Sequence, residues 1–323
     1  MLKYLIILLD NTSTSYCHYK NKRSERKLIS IEDLKAGILF AMKENLVIQF
    51  VYPDYELPQD YKDAIYNIDH CKIVPGAYNE DGDVVVINDW EDLKEFSFSK
   101  GSAYVLRTNM KGLLCNQNRI KDILDSVARL NIVITDIDTF SDEDIERYKE
   151  CLSFLSENIE QLYVSGASPQ LNILTDRMQL DSMNNCNAGW ENITLAPDGK
   201  FYVCPAFYLA DDDEEFGLGK AKFNIGDLQN GLDIKNPQLY KLSHAPLCRN
   251  CDAYQCKRCV WLNRKTTLEV NTPSHEQCVL SHIERNASKS LLERIRQHGD
   301  FLPDINIPTI DYLDPFEKRN EWI

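Results

Sequence analysis

No apolar run in the chain approaches the roughly 20 residues that a membrane-spanning helix requires. The first apolar stretch, Tyr4-Leu5-Ile6-Ile7-Leu8-Leu9, lacks a small-residue cleavage site and runs into Asp10, so it reads as a buried strand and not as a secretory signal. Without a signal the expected location is cytoplasmic, where thiols stay reduced and clustered cysteines more often hold metal than form disulfides. Positive charge is scarce: 36 Lys and Arg stand against 50 Asp and Glu, a net charge of −14. That balance argues against a nucleic-acid partner, because phosphates are gripped by concentrated cationic patches. Internal repeats and low-complexity segments are absent as well.

What is present suits a globular protein. The 323 residues are 43% hydrophobic and 10% aromatic, enough for one large domain and a smaller one. The densest acidic run, Asp211-Asp212-Asp213-Glu214-Glu215, reads as a solvated loop, with docking of a basic partner segment as the alternative.

The first 165 residues alternate strand-like and helix-like segments. Leu5–Leu9 and Leu46–Val51 are apolar runs of the kind buried on both faces of a parallel sheet. Ser30 with Asp33 marks a helix start, and Pro58 to Ile65 reads as a short helix. Ile73-Val74 or Val84–Ile87 supplies a third strand and Ala103–Leu106 a fourth. Ile120–Leu130 has helical spacing, Ile132–Thr135 is a fifth strand, Ser141 with Asp144 caps a further helix, and Leu162–Val164 is a sixth strand. Six β/α units in series imply an α/β fold with a parallel sheet, either open or partly closed into a barrel. Beyond Pro169 the pattern changes. Asn192–Ala196 and Lys200–Val203 flank Pro197-Asp198-Gly199 as a hairpin, and a helix is expected around Ile283–Arg296, before a tail punctuated by Pro303, Pro308 and Pro315.

Seven of the eleven cysteines fall between Cys186 and Cys278: Cys186, Cys204, the cluster Cys248-Arg-Asn-Cys251-Asp-Ala-Tyr-Gln-Cys256-Lys-Arg-Cys259, and Cys278. Two-residue gaps let paired thiolates in one tight turn aim at the same metal, with backbone N–H groups left to bond the sulfurs. Zinc needs four ligands, which the two close pairs alone supply; iron–sulfur clusters take four thiolates each, so seven sulfurs come close to two clusters.

The frame Cys186, Gly199, Cys204, paired cluster and lone last cysteine resembles the SPASM domain, the C-terminal extension of many peptide-modifying radical S-adenosylmethionine enzymes. The words Ala196-Pro-Asp-Gly-Lys-Phe-Tyr-Val-Cys204-Pro-Ala and Phe223-Asn-Ile-Gly226-Asp-Leu228 agree with it. Gaps inside the cluster are two, four and two residues, where the family usually has two, five and three. The resemblance implies two [4Fe–4S] clusters, the outer on Cys248, Cys251, Cys256 and Cys278, the inner on Cys186, Cys204 and Cys259 with its fourth position unassigned. Zinc is the alternative.

The N-terminus resembles the same enzymes with their reactive centre removed. Radical S-adenosylmethionine proteins follow their first strand with C-x3-C-x2-C; here that frame reads Asp10, Thr14 and Cys17, with Tyr16 before the last. Neither Asp nor Thr is a good ligand for such a cluster. The glycine-rich strand end expected after Phe50-Val51 is replaced by Tyr-Pro-Asp-Tyr-Glu-Leu-Pro, so no S-adenosylmethionine binding or cleavage is expected. The whole chain is similar to the CXXX repeat peptide maturases, on the words Phe50-Val-Tyr-Pro-Asp-Tyr-Glu-Leu-Pro58 and Ile68-Asp-His-Cys-Lys-Ile73. That likeness implies maturation of a ribosomally made, cysteine-rich peptide, with a companion modifying enzyme or an electron donor as further partners.

The expected organisation is therefore a partial (β/α)6 TIM-like barrel of the radical S-adenosylmethionine type over 1–168, a SPASM-like domain over 169–282, and a helix and tail over 283–323. Cys17 is the candidate catalytic nucleophile, its thiol open to activation by His18, with a relic, a lone cluster ligand or burial as a small hydrophobe as the alternatives. Asp136 and Asp138 are candidates for acid–base work or for helix capping. His70-Cys71 and His275 are spare metal ligands. Trp190, Tyr202 and Tyr254 are read as cluster shielding and core.

Overall fold

Strand β1 (Tyr4–Leu8) carries Leu5, Ile6, Ile7 and Leu8, all buried, because it has a parallel neighbour on each side. A computed structural model describes residues 2–77, 82–93, 96–210 and 223–309 of the chain. The acidic run at 211–215 and Pro315 lie outside those residues.

In chain order the elements are β1, α1 (Ile31–Lys43), β2 (Val47–Val51), α2 (Gln59–Tyr66), β3 (His70–Pro75), β4 (Val84–Ile87), β5 (Ala103–Thr108), α3 (Met110–Cys115), α4 (Gln117–Leu124), β6 (Arg129–Ile134), α5 (Asp142–Val164), β7 (Gln170–Leu171) and α6 (Asp176–Gln179). There follow β8 (Asn192–Leu195), β9 (Lys200–Tyr202), α7 (Ala206–Leu209), β10 (Asn224–Asp227), β11 (Gly231–Leu232), α8 (Val260–Thr267) and α9 (His275–Ile295). One sheet holds all the described strands in the order β11-β10-β9-β8-β1-β2-β3-β4-β5-β6-β7. From β8 through β7 every pairing is parallel, whereas β9, β10 and β11 extend it as antiparallel strands. The architecture is a mixed α/β fold with a partial barrel and a C-terminal region.

Local chemistry explains most starts and stops. Ser30 Oγ accepts from the N–H of Asp33 at 3.0 Å, and Ser141 and Asp144 exchange hydrogen bonds as a capping box at the head of α5. Gly199, at φ +75°, turns the β8–β9 hairpin and lets its N–H reach Ala196 O at 3.0 Å. Both candidates for the third strand are strands: β3 and β4 pair in parallel, Ile73 opposite Val84.

Two expectations are corrected. The helix expected over Ile120–Leu130 stops at Leu124, and the chain from Arg129 alternates buried and part-buried residues as β6. Leu162–Val164 is the last turn of α5 and not a strand, since Tyr163 continues the buried face of Leu152, Leu155 and Ile159. A short apolar run reads equally as strand or buried helix. The strand lies further on, as β7.

The sheet crosses the expected division at 168/169, because β8 pairs with β1 in register from Tyr4 opposite Asn192 to Ile7 opposite Leu195. The last long helix starts at His275, so Cys278 and residues beyond 283 share one rod. Among the described residues no helix is long and apolar enough to cross a membrane.

Candidate metal centre

The cysteine-rich segment is a series of tight turns. The N–H of Cys251 bonds Cys248 O at 3.0 Å and the N–H of Cys256 bonds Ala253 O at 3.0 Å. Arg258 takes a left-handed conformation, φ +42°, which folds the Cys256–Cys259 turn. Three sulfurs receive backbone donors at 3.5 Å: Cys251 from Ala253, Cys256 from Arg258, and Cys259 from Leu262, where Cys259 is also the N-cap of α8.

These turns sort the sulfurs into two groups. In the inner group, Cys186 lies ahead of β8 with its N–H on Lys257 O at 2.9 Å, Cys204 follows β9, and Cys259 opens α8. Together with Cys17 they line one cavity of about 230 Å³, walled by Tyr16, Tyr19 and Trp261. Burial pushes the Cys17 and Cys204 thiols well above the ordinary cysteine value, and repulsion by Cys186 and Cys259 adds to it in both cases. Burial likewise pushes Cys259 up to about 12. Cys186 sits at the rim, where solvent reaches the residue.

In the outer group, burial with repulsion from Cys256 and Cys251 pushes Cys248 up to about 12. Cys278 stands in the first turn of α9, and His282, one turn further on the same face, brings Nε2 to 3.5 Å from Cys251 Sγ.

Arg258 lies between the groups. It is fully buried, and its Nη2 donates to Tyr240 O at 2.6 Å, while its Nε and Nη1 have no hydrogen-bond partner. Burial lowers its pKa from the ordinary guanidinium value, against the opposing pull of Cys248, Cys186, Cys256 and Cys259, two from each group. A buried cation with two idle donors calls for nearby negative charge. Thiolate-bound iron–sulfur clusters would supply it. Among the described residues, no three His, Cys, Asp or Glu side chains gather closely enough to grip one bare ion. The N–H donors and the buried guanidinium fit thiolate-bound clusters. Cys186, Cys204 and Cys259 would hold one such group, and Cys248, Cys251, Cys256 and Cys278 the other.

A second cavity, about 330 Å³ and largely apolar, runs from the ends of β5 and β6 to α9. Cys17, Cys186, Cys256 and Cys259 share its wall with Ile134, Leu280 and Glu284. Burial raises Glu284 from 4.5 to about 7, against the opposing hydrogen bonds from Tyr148 Oη at 2.7 Å and Gln255 Nε2 at 3.4 Å.

The mouth of the sheet is different. A polar cavity of about 550 Å³ there is lined by Thr12, Ser13, Thr14, Ser15, Asn88 and Arg107, among others. Asp10 is buried below it, its Oδ1 accepting from Thr12 N–H at 2.8 Å and Thr12 Oγ1 at 2.6 Å. Ser13 Oγ donates to Val51 O at 2.8 Å, and Asn88 Nδ2 donates to Thr14 Oγ1 at 3.1 Å. One oxygen of Asp10 is thus engaged by Thr12 within the loop, its Oδ2 is buried without a hydrogen-bond partner, and Thr14 is engaged by Asn88 beyond β4.

Other candidates fall elsewhere. The His18 ring contacts Ile134 O at 2.9 Å and burial lowers its pKa, so it is neutral and brings no cation to Cys17. Asp136 accepts from Met110 N–H at 2.9 Å at the head of α3, and Asp138 pairs with Lys265 at 2.9 Å, so the two serve separate contacts. His70 and Cys71 lie on β3, where burial pushes Cys71 to about 11. His275 opens α9, 3.7 Å from Glu276. Lys241 stacks on Trp190 at 3.8 Å and Arg177 on Tyr254 at 4.2 Å, while Tyr202 donates to Asp198 at 2.8 Å. Sequence reading missed Arg258, His282 and Glu284. The first sits visibly inside Cys256-Lys-Arg-Cys259, but nothing in the sequence announces that it is buried.

No family model matches the chain, and no curated protein matches it. Solved structures of similar fold do exist. The polyhistidine-tagged enzyme anSMEcpe with bound AdoMet, an anaerobic sulfatase-maturating enzyme of the SPASM radical type, superposes with a TM-score of 0.60 at 11% identity, over 94% of this chain and 97% of that one. Native anSMEcpe with AdoMet and a Cp18Cys peptide gives 0.58 at 12% identity, over 92% and 100%. Native anSMEcpe with AdoMet and a Kp18Cys peptide gives 0.57 at 12%, over 91% and 99%.

Proposed function

We propose that this protein takes part in maturing a ribosomally made, cysteine-rich peptide of the CXXX-repeat kind, as a cytoplasmic iron–sulfur protein that does not cleave S-adenosylmethionine. The observation that carries the reading is the buried Arg258 between two groups of cysteines that flank an apolar cavity. A fold shared with a peptide-bound maturating enzyme supports a peptide as the ligand. Asp10 and Thr14, which stand at two of the three frame positions and are held by Thr12 and Asn88, support the loss of the cleaving cluster.

The clusters, when bound, supply one-electron storage and transfer. The chain's own residues set the conditions for that chemistry. Arg258 places a positive charge between the two groups. Backbone N–H groups of Ala253, Arg258 and Leu262 offset charge on the sulfurs. Glu284 holds a proton near neutrality at the cavity wall, and Ile134, Ile137 and Leu280 exclude water from it. A peptide side chain of modest size fits there. Two roles satisfy this arrangement: modification of the peptide's cysteines, or electron relay to a companion enzyme that modifies them. The lack of cysteine at positions 10 and 14 favours the relay.

Anaerobic purification with iron, sulfide and zinc analysis tests the reading. About eight irons per chain, binding of a CXXX-repeat peptide, and no 5′-deoxyadenosine from added S-adenosylmethionine under reduction are expected. One zinc without sulfide, or formation of 5′-deoxyadenosine, would overturn it.

A further inference from the structure

We propose that Cys17, in the loop after β1, is the fourth thiolate of the inner site and completes the set Cys186, Cys204 and Cys259. The proposal rests on reading those three as ligands of an iron–sulfur cluster.

Four chain segments remote in sequence bring one cysteine each to the same cavity: the loop after β1, the approach to β8, the turn after β9 and the first residue ahead of α8. The loop is held in this direction at several points. Arg107 Nε donates to Cys17 O at 2.7 Å, and the His18 ring meets Ile134 O at 2.9 Å. Tyr16 packs edge-on against Tyr19 with centroids 6.3 Å apart, and Tyr19 packs edge-on against Trp261 of α8 at 6.4 Å. Thr12 to Ser15 line the polar cavity at the sheet's mouth, whereas Tyr16 and Cys17 line the cysteine cavity. The loop thus turns between Ser15 and Tyr16 and delivers Cys17 away from the place its sequence frame suggested.

A nucleophile's role fits these surroundings poorly. A base would have to sit beside the thiol, and the nearest imidazole is engaged with a backbone carbonyl. The neighbours of Cys17 are three further thiols in an aromatic enclosure, which is the donor set and the shielding that a four-iron cluster takes. With four thiolates the inner cluster has no iron open to substrate. Its function is then to store and pass electrons, and since the outer group also offers four thiolates, substrate chemistry falls to a partner. The cluster would also tie the loop after β1 to α8.

The test compares anaerobically purified wild type with Cys17→Ala and Cys115→Ala, the latter an exposed cysteine outside both groups. Expected for Cys17→Ala is loss of roughly half the iron and sulfide, or conversion of one cluster to a three-iron form with its own oxidised EPR signal. Cys115→Ala should match wild type. In the wild type itself, alkylation should spare Cys17 together with Cys204 and Cys259, and should reach all three at similar rates once the iron is chelated. That measurement stands even where Cys17→Ala does not fold. Full iron with unchanged EPR and Mössbauer spectra in Cys17→Ala, or alkylation of Cys17 that is indifferent to iron, overturns the assignment and leaves the proposed function intact. Wild type lacking iron and sulfide overturns both.

Discussion

Arg285 on α9 grips Asp252 with a two-pronged contact, Nη2 to Oδ2 at 2.6 Å and Nε to Oδ2 at 3.1 Å. Asp252 follows Cys251 directly, and Arg177 reaches the same carboxylate at 3.3 Å. All three groups are nearly withdrawn from water. This triad pins the outer cysteine turn to α9, the helix that carries Cys278. Arg285→Ala takes the two-pronged partner away from a nearly buried carboxylate and should cost on the order of 3 kcal/mol. Arg285→Lys keeps the charge without the fork and should fall between the two. Urea midpoints measured anaerobically check this; equal midpoints for wild type and Arg285→Ala would remove the triad from any structural role.

Arg258 sits where it would act on bound clusters and not at the fold's periphery. Its guanidinium is buried among sulfurs of both groups. A positive charge there favours the added electron, so its removal must disfavour it. Arg258→Met, of similar length but neutral, should shift the cluster reduction potentials to more negative values. An EPR-monitored redox titration reads the shift directly. Unchanged potentials, with iron content preserved, would show that the charge is felt elsewhere.

Asp10 occupies a ligand position in the sequence frame but behaves as a turn-forming residue. Its Oδ1 accepts twice from Thr12 inside a loop that has little access to water. Asp10→Ala removes both bonds and leaves the Thr12 donors short of a partner, at about 1–3 kcal/mol. The melting temperature should fall by several degrees, roughly 2–4 °C per kcal/mol. Iron and sulfide per folded chain should stay at the wild-type level, and a drop in iron would identify Asp10 as a ligand after all.

Much of this was legible in the sequence, for identifiable reasons. Strands buried on both faces announce themselves as apolar runs, so β1, β2 and β5 could be read directly, whereas β3 and β4 stood as alternatives for one strand and both form. Capping chemistry marked Ser30 and Ser141, and Asp-Gly marked the hairpin at Gly199. The errors came where three or four apolar residues suit either period, as at Leu162–Val164, which α5 keeps because Tyr163 prolongs its buried stripe. The site was half legible. Close cysteine pairs carry a local signal, but the company of Cys17 is decided by tertiary contacts such as Tyr19 on Trp261. Arg258 and Glu284 are ordinary charged residues in the sequence and become informative only through burial.

Glu284 gives the pH-dependent prediction. Burial raises its folded-state pKa from 4.5 to about 7. The folded protein therefore binds this proton more tightly than the unfolded chain does. The associated stability is fully present below about pH 4.5, drains away as pH rises, and is gone above about pH 7. The loss is on the order of 3 kcal/mol, about 1.4 kcal/mol for each pH unit between the two values, with the opposing hydrogen bonds from Tyr148 and Gln255 already included in the raised value. Glu284→Gln cannot ionise, so the difference in melting temperature between variant and wild type should grow in the variant's favour from pH 4.5 to pH 7 and then level off. Taking that difference cancels the titrations common to both proteins. Parallel curves across the range would mean that Glu284 ionises in the folded protein as it does in water, and the cavity wall would then be wetter than its lining of Ile134, Ile137 and Leu280 implies.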